Sequence, residues 1–365
     1  MAFLDNNGLT RYDGKLKDLL ARKTIISGVE STATASKAYA AGEYFVLNDV
    51  LYKVTAAIAS GGTITPGTNC TATDVSAELG TLKDSLTGLQ NIIGNYNNAG
   101  FHNSIFRGKF LGTSFTTTQH NVIVAGTFDD LFIGDYWTIN STDYVIVHFD
   151  YYLRCSDSDI NYHHIVVMPR TNLNLSGYID TTALINTTNA GVTVSSQETV
   201  SAFKWNATMA APNANSTAGG YIGSRMRTVI MPACDAKVKA DFGSAYVKTV
   251  SMLYPSAFYS ESDGRATGWA WTATDLACDL CNETQVYGQQ VWGTGAEGKP
   301  GYEVGIDKWQ FAIFAVHPAF ANLRANWWLR SVDSSANAAL VILGGNASGH
   351  GSATAYGVRP RFLLS

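Results

Sequence analysis

The sequence predicts an α+β protein that is mostly β. Phe, Trp and Tyr make up 12% of the 365 residues and there are 34 glycines, a combination typical of strands joined by many turns. Several stretches alternate apolar and polar residues with the period of a strand. Charged residues reach only 15%, below the usual quarter for a soluble domain. The length is sufficient for two or three domains, each with its own core.

Residues 1–74 are predicted to form an N-terminal helix followed by a small β module for attachment. In "NGLTRYDGKLKDLLARK", at 7–23, apolar residues recur at three- and four-residue steps, which favours an amphipathic helix. Alternation on both sides of Asn48-Asp49 predicts a β-hairpin with a tight turn. The polar stretch 60–74 is typical of a loop.

Residues 75–100 are predicted to form a short coiled-coil stalk and a linker. Apolar residues follow one another at steps of three, four, three and four, the spacing of an a/d heptad seam. The pattern spans fewer than three heptads, so other contacts would have to hold the chains together. An ordinary packing helix explains the same spacing. The apolar positions are Leu79, Leu82, Leu86, Leu89 and Ile93.

Residues 101–365 are predicted to form a β-rich domain. The stretch 126–154 alternates around a turn at Asn140-Ser141-Thr142, and "HHIVVMPR" is typical of a central strand that ends at Pro169. A helix is expected between Ala233 and Phe242. The Thr-, Asn- and Ser-rich stretch 181–218 predicts long surface loops.

No catalytic, metal or cofactor site is predicted. His163 and His164 are adjacent, so on a strand they point to opposite faces, and a structural role is favoured over shared metal ligation. Cys278 and Cys281 have the spacing of a redox or zinc pair. No second pair accompanies them, so buried, unpaired thiols are expected. The sequence contains neither a Gly-x-Ser-x-Gly elbow nor a phosphate-binding loop.

Charge and hydropathy exclude two classes of partner. The net charge is −4 and the longest run of basic residues is two, so nucleic-acid binding is not expected. No stretch approaches 18 consecutive apolar residues, so membrane insertion is not expected. The N-terminal residues lack the apolar region of a signal peptide, which predicts that the protein starts in the cytoplasm.

Six runs of sequence carry a resemblance to a known family. "GGYIGSRMR", "FGSAYVK", "GWAWTATD", "NETQVYG", "YEVGIDKWQFAIFAVHP" and "NWWLRS…YGVRPRF" resemble C-type-lectin-like domains diversified by retroelements, the class that includes phage major tropism determinants. The opening "MAFLDNNGLTRYDGKLK" and "YAAGEYFVLNDVLYKVT" resemble N-terminal modules of phage tail and fibre proteins. The resemblance implies a C-type-lectin fold whose final segment holds variable residues on a surface fixed by a framework.

Carried onto this chain, the resemblance implies a variable face within 333–354 and a framework on either side of it. The face would consist of Asp333, Ser334, Ser335, Asn337, Leu340, Ile342, Leu343, Asn346, Ser348, His350, Ser352 and Thr354. The framework would consist of Trp327, Trp328, Arg330, Tyr356 and Arg359, with the arginines contacting loop carbonyls or a carboxylate.

The function that the resemblance implies is that of a phage receptor-binding protein in the virion tail. It would form a homotrimer, contact other tail proteins and bind a bacterial cell-surface ligand. Leu340, Ile342 and Leu343 are expected beside the surface, which favours a protein ligand over a glycan. A structural virion protein without diversified binding is one alternative. A second is an enzyme like the formylglycine-generating enzymes, whose reactive cysteines could only be Cys278 and Cys281.

Overall fold

The computed structural model of the protein describes residues 26–74, 80, 83–86, 98–155, 160–249, 252–255, 269–272, 276–289, 291–292 and 309–365. The chain divides into two compact units, Met1–Tyr96 and Asn97–Ser365. Strand, at 27%, exceeds helix, at 22%, so the chain is α+β, as predicted. The helix predicted at 7–23 lies outside the described residues. Of the stalk predicted at 75–96, only Gly80 and residues 83–86 are described, and they are helical.

The first unit contains a four-stranded sheet in the order β1-β2-β3-β4. The predicted hairpin is confirmed: Asn48 and Asp49 have φ angles of 50° and 63°, the left-handed pair that a two-residue turn of type I′ requires. One buried cluster, which includes Tyr39 and Phe45, packs on this sheet. The strands are β1 (Ile26–Glu30), β2 (Tyr44–Leu47), β3 (Val50–Val54) and β4 (Cys70–Thr73).

The second unit contains the remaining strands and the helices of its own core. The strands are β5 (Phe110–Gly112), β6 (Tyr136–Ile139), β7 (Thr142–Phe149), β8 (Ile165–Pro169), β9 (Phe203–Lys204), β10 (Val247–Lys248), β11 (Met252–Pro255), β12 (Trp269–Thr272), β13 (Trp327–Val332), β14 (Asn337–Val341), β15 (Ala347–Gly351), β16 (Ala355–Tyr356) and β17 (Phe362–Leu364). The helices are α1 (Ala99–Asn103), α2 (Thr117–Val124), α3 (Thr187–Ala190), α4 (Gly220–Gly223), α5 (Met231–Phe242), α6 (Glu283–Tyr287) and α7 (Ala312–Val316). A π-helical turn spans Met226–Ile230, and 3-10 turns span Thr181–Ala183 and Pro318–Ala321.

The main sheet of the second unit has six strands in the order β10-β17-β8-β7-β6-β5. The predicted central strand is β8, which is buried throughout and ends at Pro169. The predicted turn after β6 is also confirmed, since Asn140 and Ser141 have φ angles of 46° and 62°. The last strand of the chain, β17, pairs antiparallel with β8, which brings the segment beyond residue 354 back into the core.

Helix α5 confirms the helix predicted between Ala233 and Phe242. It packs against this sheet. Pro232 lies in its first turn, where the missing N–H costs nothing. At its other end, the ring of Phe242 lies 5.0 Å from Tyr144 and 5.4 Å from Phe362, centroid to centroid. The helix therefore connects the hairpin β6–β7 with the final strand.

The prediction that 181–218 forms surface loops was wrong for part of this stretch. Leu184, Ile185, Phe203 and Trp205 are buried, and the Trp205 indole donates to the Leu329 carbonyl at 2.9 Å. These apolar residues follow no period, so the stretch contains no strand or helix pattern that would predict their burial. They anchor the polar loops of this stretch to the core.

A separate three-stranded antiparallel sheet, in the order β13-β14-β15, precedes the final strand. Much of the predicted variable segment 333–354 is therefore regular strand, in β14 and β15. Ala338, Ala339, Leu340 and Val341 are completely buried. No helix in the described ranges is long and apolar enough to cross a bilayer.

Candidate functional site

Two tryptophans begin the C-terminal sheet and fix it from both sides. Trp327 and Trp328 are consecutive on β13, so their side chains point to opposite faces, and both are completely buried. The Trp327 indole donates to the Ala321 carbonyl at 3.3 Å, and the Trp328 indole donates to the Phe203 carbonyl at 2.8 Å. Because the N–H group of each indole is also hydrogen-bonded, the two tryptophans hold β13 in one position.

Arg359 is the second part of the frame. Its guanidinium lies between two rings, 4.2 Å from the centroid of Phe320 and 4.8 Å from that of Trp327. Nε donates to the Pro169 carbonyl at 3.1 Å, and Nη1 donates to the Phe320 carbonyl at 2.9 Å. This is the carbonyl contact expected from the sequence, and it ties the chain after the sheet to β8.

Arg330 belongs to a buried cluster of charged side chains. Arg330 was predicted as a framework residue, but the other members of the cluster were not predicted. Arg361 donates to the Asp279 carboxylate at 2.9 Å, and Arg330 lies 3.7 Å from the same oxygen. All three side chains are at most 4% exposed. Burial alone would raise the pKa of Asp279, but the positive charges of Arg361 and Arg330 lower it below its ordinary value. Asp279 is therefore ionised at neutral pH and bridges two strands of the site.

The predicted face divides into exposed, partly buried and buried positions. Ser335, Leu343, Asn346 and His350 are exposed. Leu343 is 60% exposed and is the most open of the three large apolar residues of the face, the others being Leu340 and Ile342. The partly buried positions are Asp333, Ser334, Asn337, Ile342, Ser348 and Thr354, together with the framework residue Tyr356.

Leu340 and Ser352 were predicted on the surface, and both predictions were wrong. Leu340 is completely buried because it pairs with Trp328 and points to the same side of the sheet. Ser352 is also completely buried, where its hydroxyl accepts from the Ser216 N–H at 2.8 Å and donates to the Ser216 carbonyl at 3.0 Å. Neither side chain can contact a ligand in this conformation.

The turn between β13 and β14 is held by local hydrogen bonds. The Ser334 hydroxyl accepts from the N–H of Asn337 at 3.1 Å. Asp333 lies across the sheet from Gly349, where a Cβ atom would collide with the Asp333 carboxylate. Burial raises the pKa of Asp333, despite a hydrogen bond from Asn337. The glycine on β15 thus makes room for an acidic side chain on the neighbouring turn.

A loop at 206–217 forms a second wall beside the face, and no sequence pattern predicted it. The Asn215 side-chain oxygen accepts from the Ala353 N–H at 2.8 Å, and the Thr217 hydroxyl donates to the Ser334 carbonyl at 2.6 Å. Lys204, which is completely buried, donates to the carbonyls of Pro212 and Ala353 at 2.7 and 2.6 Å. Lys204 therefore connects the wall to the end of the face.

The histidines considered as metal ligands contact other residues of the protein. His164 is completely buried, accepts from the Tyr152 N–H through Nε2, and contacts the Tyr162 carbonyl through Nδ1. Burial lowers its pKa to about 4, so it is neutral. His163 contacts the Asp150 carboxylate at 2.6 Å. Among the described residues, no three His, Cys, Asp or Glu side chains are grouped as a metal site would need.

Cys278 and Cys281 are free and buried. Burial raises the pKa of both thiols, to about 12 for Cys281, so both are protonated at neutral pH. A protonated thiol in an apolar setting is a poor nucleophile. Burial accordingly gives these two thiols no activated state.

Comparisons with models of protein families, with curated proteins and with solved structures find no match to this chain.

Proposed function

We propose that the protein is a phage receptor-binding protein in the virion tail, and that its second unit is a C-type-lectin-like domain. It presents the exposed part of 333–354 to a protein on the bacterial surface. The supporting observation is the division of the C-terminal segment into a completely buried frame and exposed side chains that contribute little to the core.

This division between a buried frame and exposed side chains suits a binding surface whose residues are replaced by mutation. Substitutions at exposed positions away from special backbone geometry change stability by at most about 0.5 kcal/mol. Truncation of a buried aromatic side chain costs about 3–5 kcal/mol. Ser335, Asn346 and His350 belong to the first class, and Trp327 and Trp328 belong to the second. The binding surface can change while the fold stays the same.

A protein ligand is favoured by the apolar residue at the centre of one turn. Leu343 lies between β14 and β15 and is 60% exposed, so it offers a protein partner an apolar contact. A homotrimer held by the stalk at 75–100 would present three copies of the face, so a weak single site gains avidity. Residues 1–74 would attach the chain to other tail proteins.

The enzymatic alternative has less support. A formylglycine-generating-like reaction needs an accessible, ionised cysteine, and burial keeps Cys278 and Cys281 protonated.

A triple substitution of exposed residues tests the proposal. The labelled full chain is titrated onto a panel of bacterial strains, and strains that bind it saturably are kept. Leu343→Ala, Asn346→Ala and His350→Ala together are expected to weaken this binding at least about ten-fold, since interface centres carry most of the binding energy. The unfolding midpoint is expected to stay unchanged because all three side chains are exposed.

The matched control replaces two exposed residues on helix α2, Asn121→Ala with Val124→Ala. Its binding is expected to equal that of the unchanged chain. Equal binding by the triple variant would contradict the proposed face.

A further inference from the structure

Trp292 is an exposed aromatic residue beside the face but outside 333–354. Its indole N–H donates to the Ala347 carbonyl at 3.1 Å, on the strand β15. The side chain nevertheless remains 45% exposed, and its neighbour Val291 is 51% exposed. A tryptophan whose only polar atom is already bonded presents an apolar ring to the outside.

A buried carboxylate fixes this tryptophan. Glu283 is completely buried in the first turn of α6. Its oxygens accept from the N–H of Trp292 at 2.9 and 3.1 Å and from that of Val291 at 3.1 Å. Hydrogen bonds to a charged group are the stronger ones, so the backbone that carries the exposed pair is held in place. Preorganised aromatic side chains are favoured contacts at interfaces.

A groove of about 760 Å³ adjoins this pair. It lies between helices α6 and α7 and the turn from β14 to β15, and apolar surface predominates in it. Its volume falls in the range of ligand pockets, about 300–1,000 Å³. The lining residues are Val286, Tyr287, Val291, Gln310, Phe314, Ala315, Pro318, Ala321, Gly345, Asn346 and Ala347.

The side chains that line the groove favour an apolar occupant. Among the described residues, no charged side chain lines the groove, which disfavours anionic sugars and phosphates. Two of its polar groups are engaged within the protein: the Tyr287 hydroxyl donates to the Gly345 carbonyl at 3.0 Å, and the Gln310 amide donates to the Val286 carbonyl at 2.7 Å. A sugar would need such groups as partners for its hydroxyls, whereas an apolar side chain needs none.

We propose that Trp292 and the adjoining groove form a fixed contact that accepts an aliphatic or aromatic side chain of the receptor protein. The inference rests on the proposed function and extends it. The exposed positions of 333–354 select among receptors, and Trp292 contributes an apolar anchor that does not depend on their identity. Leu343, on the turn that borders the groove, connects the two parts.

A peptide selection tests the anchor without knowledge of the receptor. A random peptide library displayed on phage is selected on the full chain. The recovered peptides are expected to share an aliphatic or aromatic residue, and to bind Trp292→Ala at least about ten-fold more weakly. Peptides that lack such a residue, or that bind Trp292→Ala equally well, would overturn the proposal, as would recovery of none.

Cell binding then separates the anchor from the face. Trp292→Ala is expected to weaken binding to the recognised strain by about 30-fold, as at an interface hot spot. Trp292→Phe keeps an apolar ring but loses the bond to Ala347, so its affinity is expected to stay within about three-fold. A loss as large as that of the alanine variant would assign Trp292 a structural role instead. Phe110→Ala, at a residue 49% exposed on β5, is the matched control and is expected to bind normally.

The outcomes distinguish the two proposals. Normal binding by Trp292→Ala, with loss in the triple variant of 333–354, overturns the anchor alone. Normal binding by the triple variant overturns the proposed face. Binding that survives protease treatment of the cells but not periodate oxidation would identify a glycan and overturn the apolar occupant.

Discussion

Replacing Arg359 with alanine is expected to lower the free energy of unfolding of the second unit by about 3–5 kcal/mol, the cost of truncating a large buried side chain. The change removes the stack between Phe320 and Trp327 and leaves the carbonyls of Pro169 and Phe320 without their donors. A stacked and desolvated guanidinium adds about 2 kcal/mol of cation–π attraction. Loss of both contributions makes this one of the two most damaging substitutions we expect.

Guanidinium denaturation followed by tryptophan fluorescence measures this loss for the second unit alone, because all eight tryptophans lie between residues 137 and 328. Arg359→Lys is expected to fall between the alanine variant and the unchanged chain, since an ammonium cannot stack as a planar guanidinium does. The control is Lys109→Ala, whose ammonium pairs with the exposed Asp130 carboxylate, with an effect within about 1 kcal/mol. An unchanged midpoint for Arg359→Ala would show that the frame does not depend on this contact.

Replacing Asp279 with asparagine is expected to cost a similar amount, about 3–5 kcal/mol, because removal of one partner leaves buried charges uncompensated. Arg361 and Arg330 both lie against this carboxylate, and the three side chains are almost completely buried. The matched control is Asp130→Asn. That carboxylate pairs with Arg107 but is 65% exposed, so solvent screening limits its contribution to about 1 kcal/mol or less.

The Asp279 contribution also depends on pH in a defined direction. Its pKa in the folded protein is lowered from 3.8, so its stabilising effect is fully present above about pH 4 and is lost as the pH falls through the folded value. The difference in unfolding free energy between the unchanged chain and Asp279→Asn is therefore expected to be largest near neutrality and to shrink on acidification. A difference that stayed constant down to pH 2 would contradict the ionised cluster.

Local sequence patterns were sufficient to predict two hairpins and one helix. The hairpins around Asn48-Asp49 and Asn140-Ser141 were predicted because alternating strands flank residues that tolerate left-handed geometry. Helix α5 was predicted within two residues of its start.

Tertiary context decided the elements that the sequence did not predict. Strand β15 reads ASGHG, a run of small residues without apolar alternation, and it forms a strand because β14 pairs with it along its whole length. Leu340 was placed on the surface because it lies in the segment that the resemblance implies to be variable, although its pairing with Trp328 buries it.

The site residues that were missed have partners far away in the chain. Asp279 and Arg361 are separated by 82 positions, and Ser216 and Ser352 by 136. No local pattern indicates such contacts. The framework tryptophans were predicted correctly because bulky aromatic residues beside a run of small ones are rarely exposed.

The most direct test of the central claim is the sequence of this locus in a set of related phage isolates. We expect substitutions to concentrate at the exposed positions Ser335, Leu343, Asn346 and His350. Leu340, Ser352 and the frame residues Trp327, Trp328, Arg330 and Arg359 are expected to stay unchanged. Substitutions spread evenly along the chain, or present equally at buried and exposed positions of 333–354, would contradict a diversified binding face.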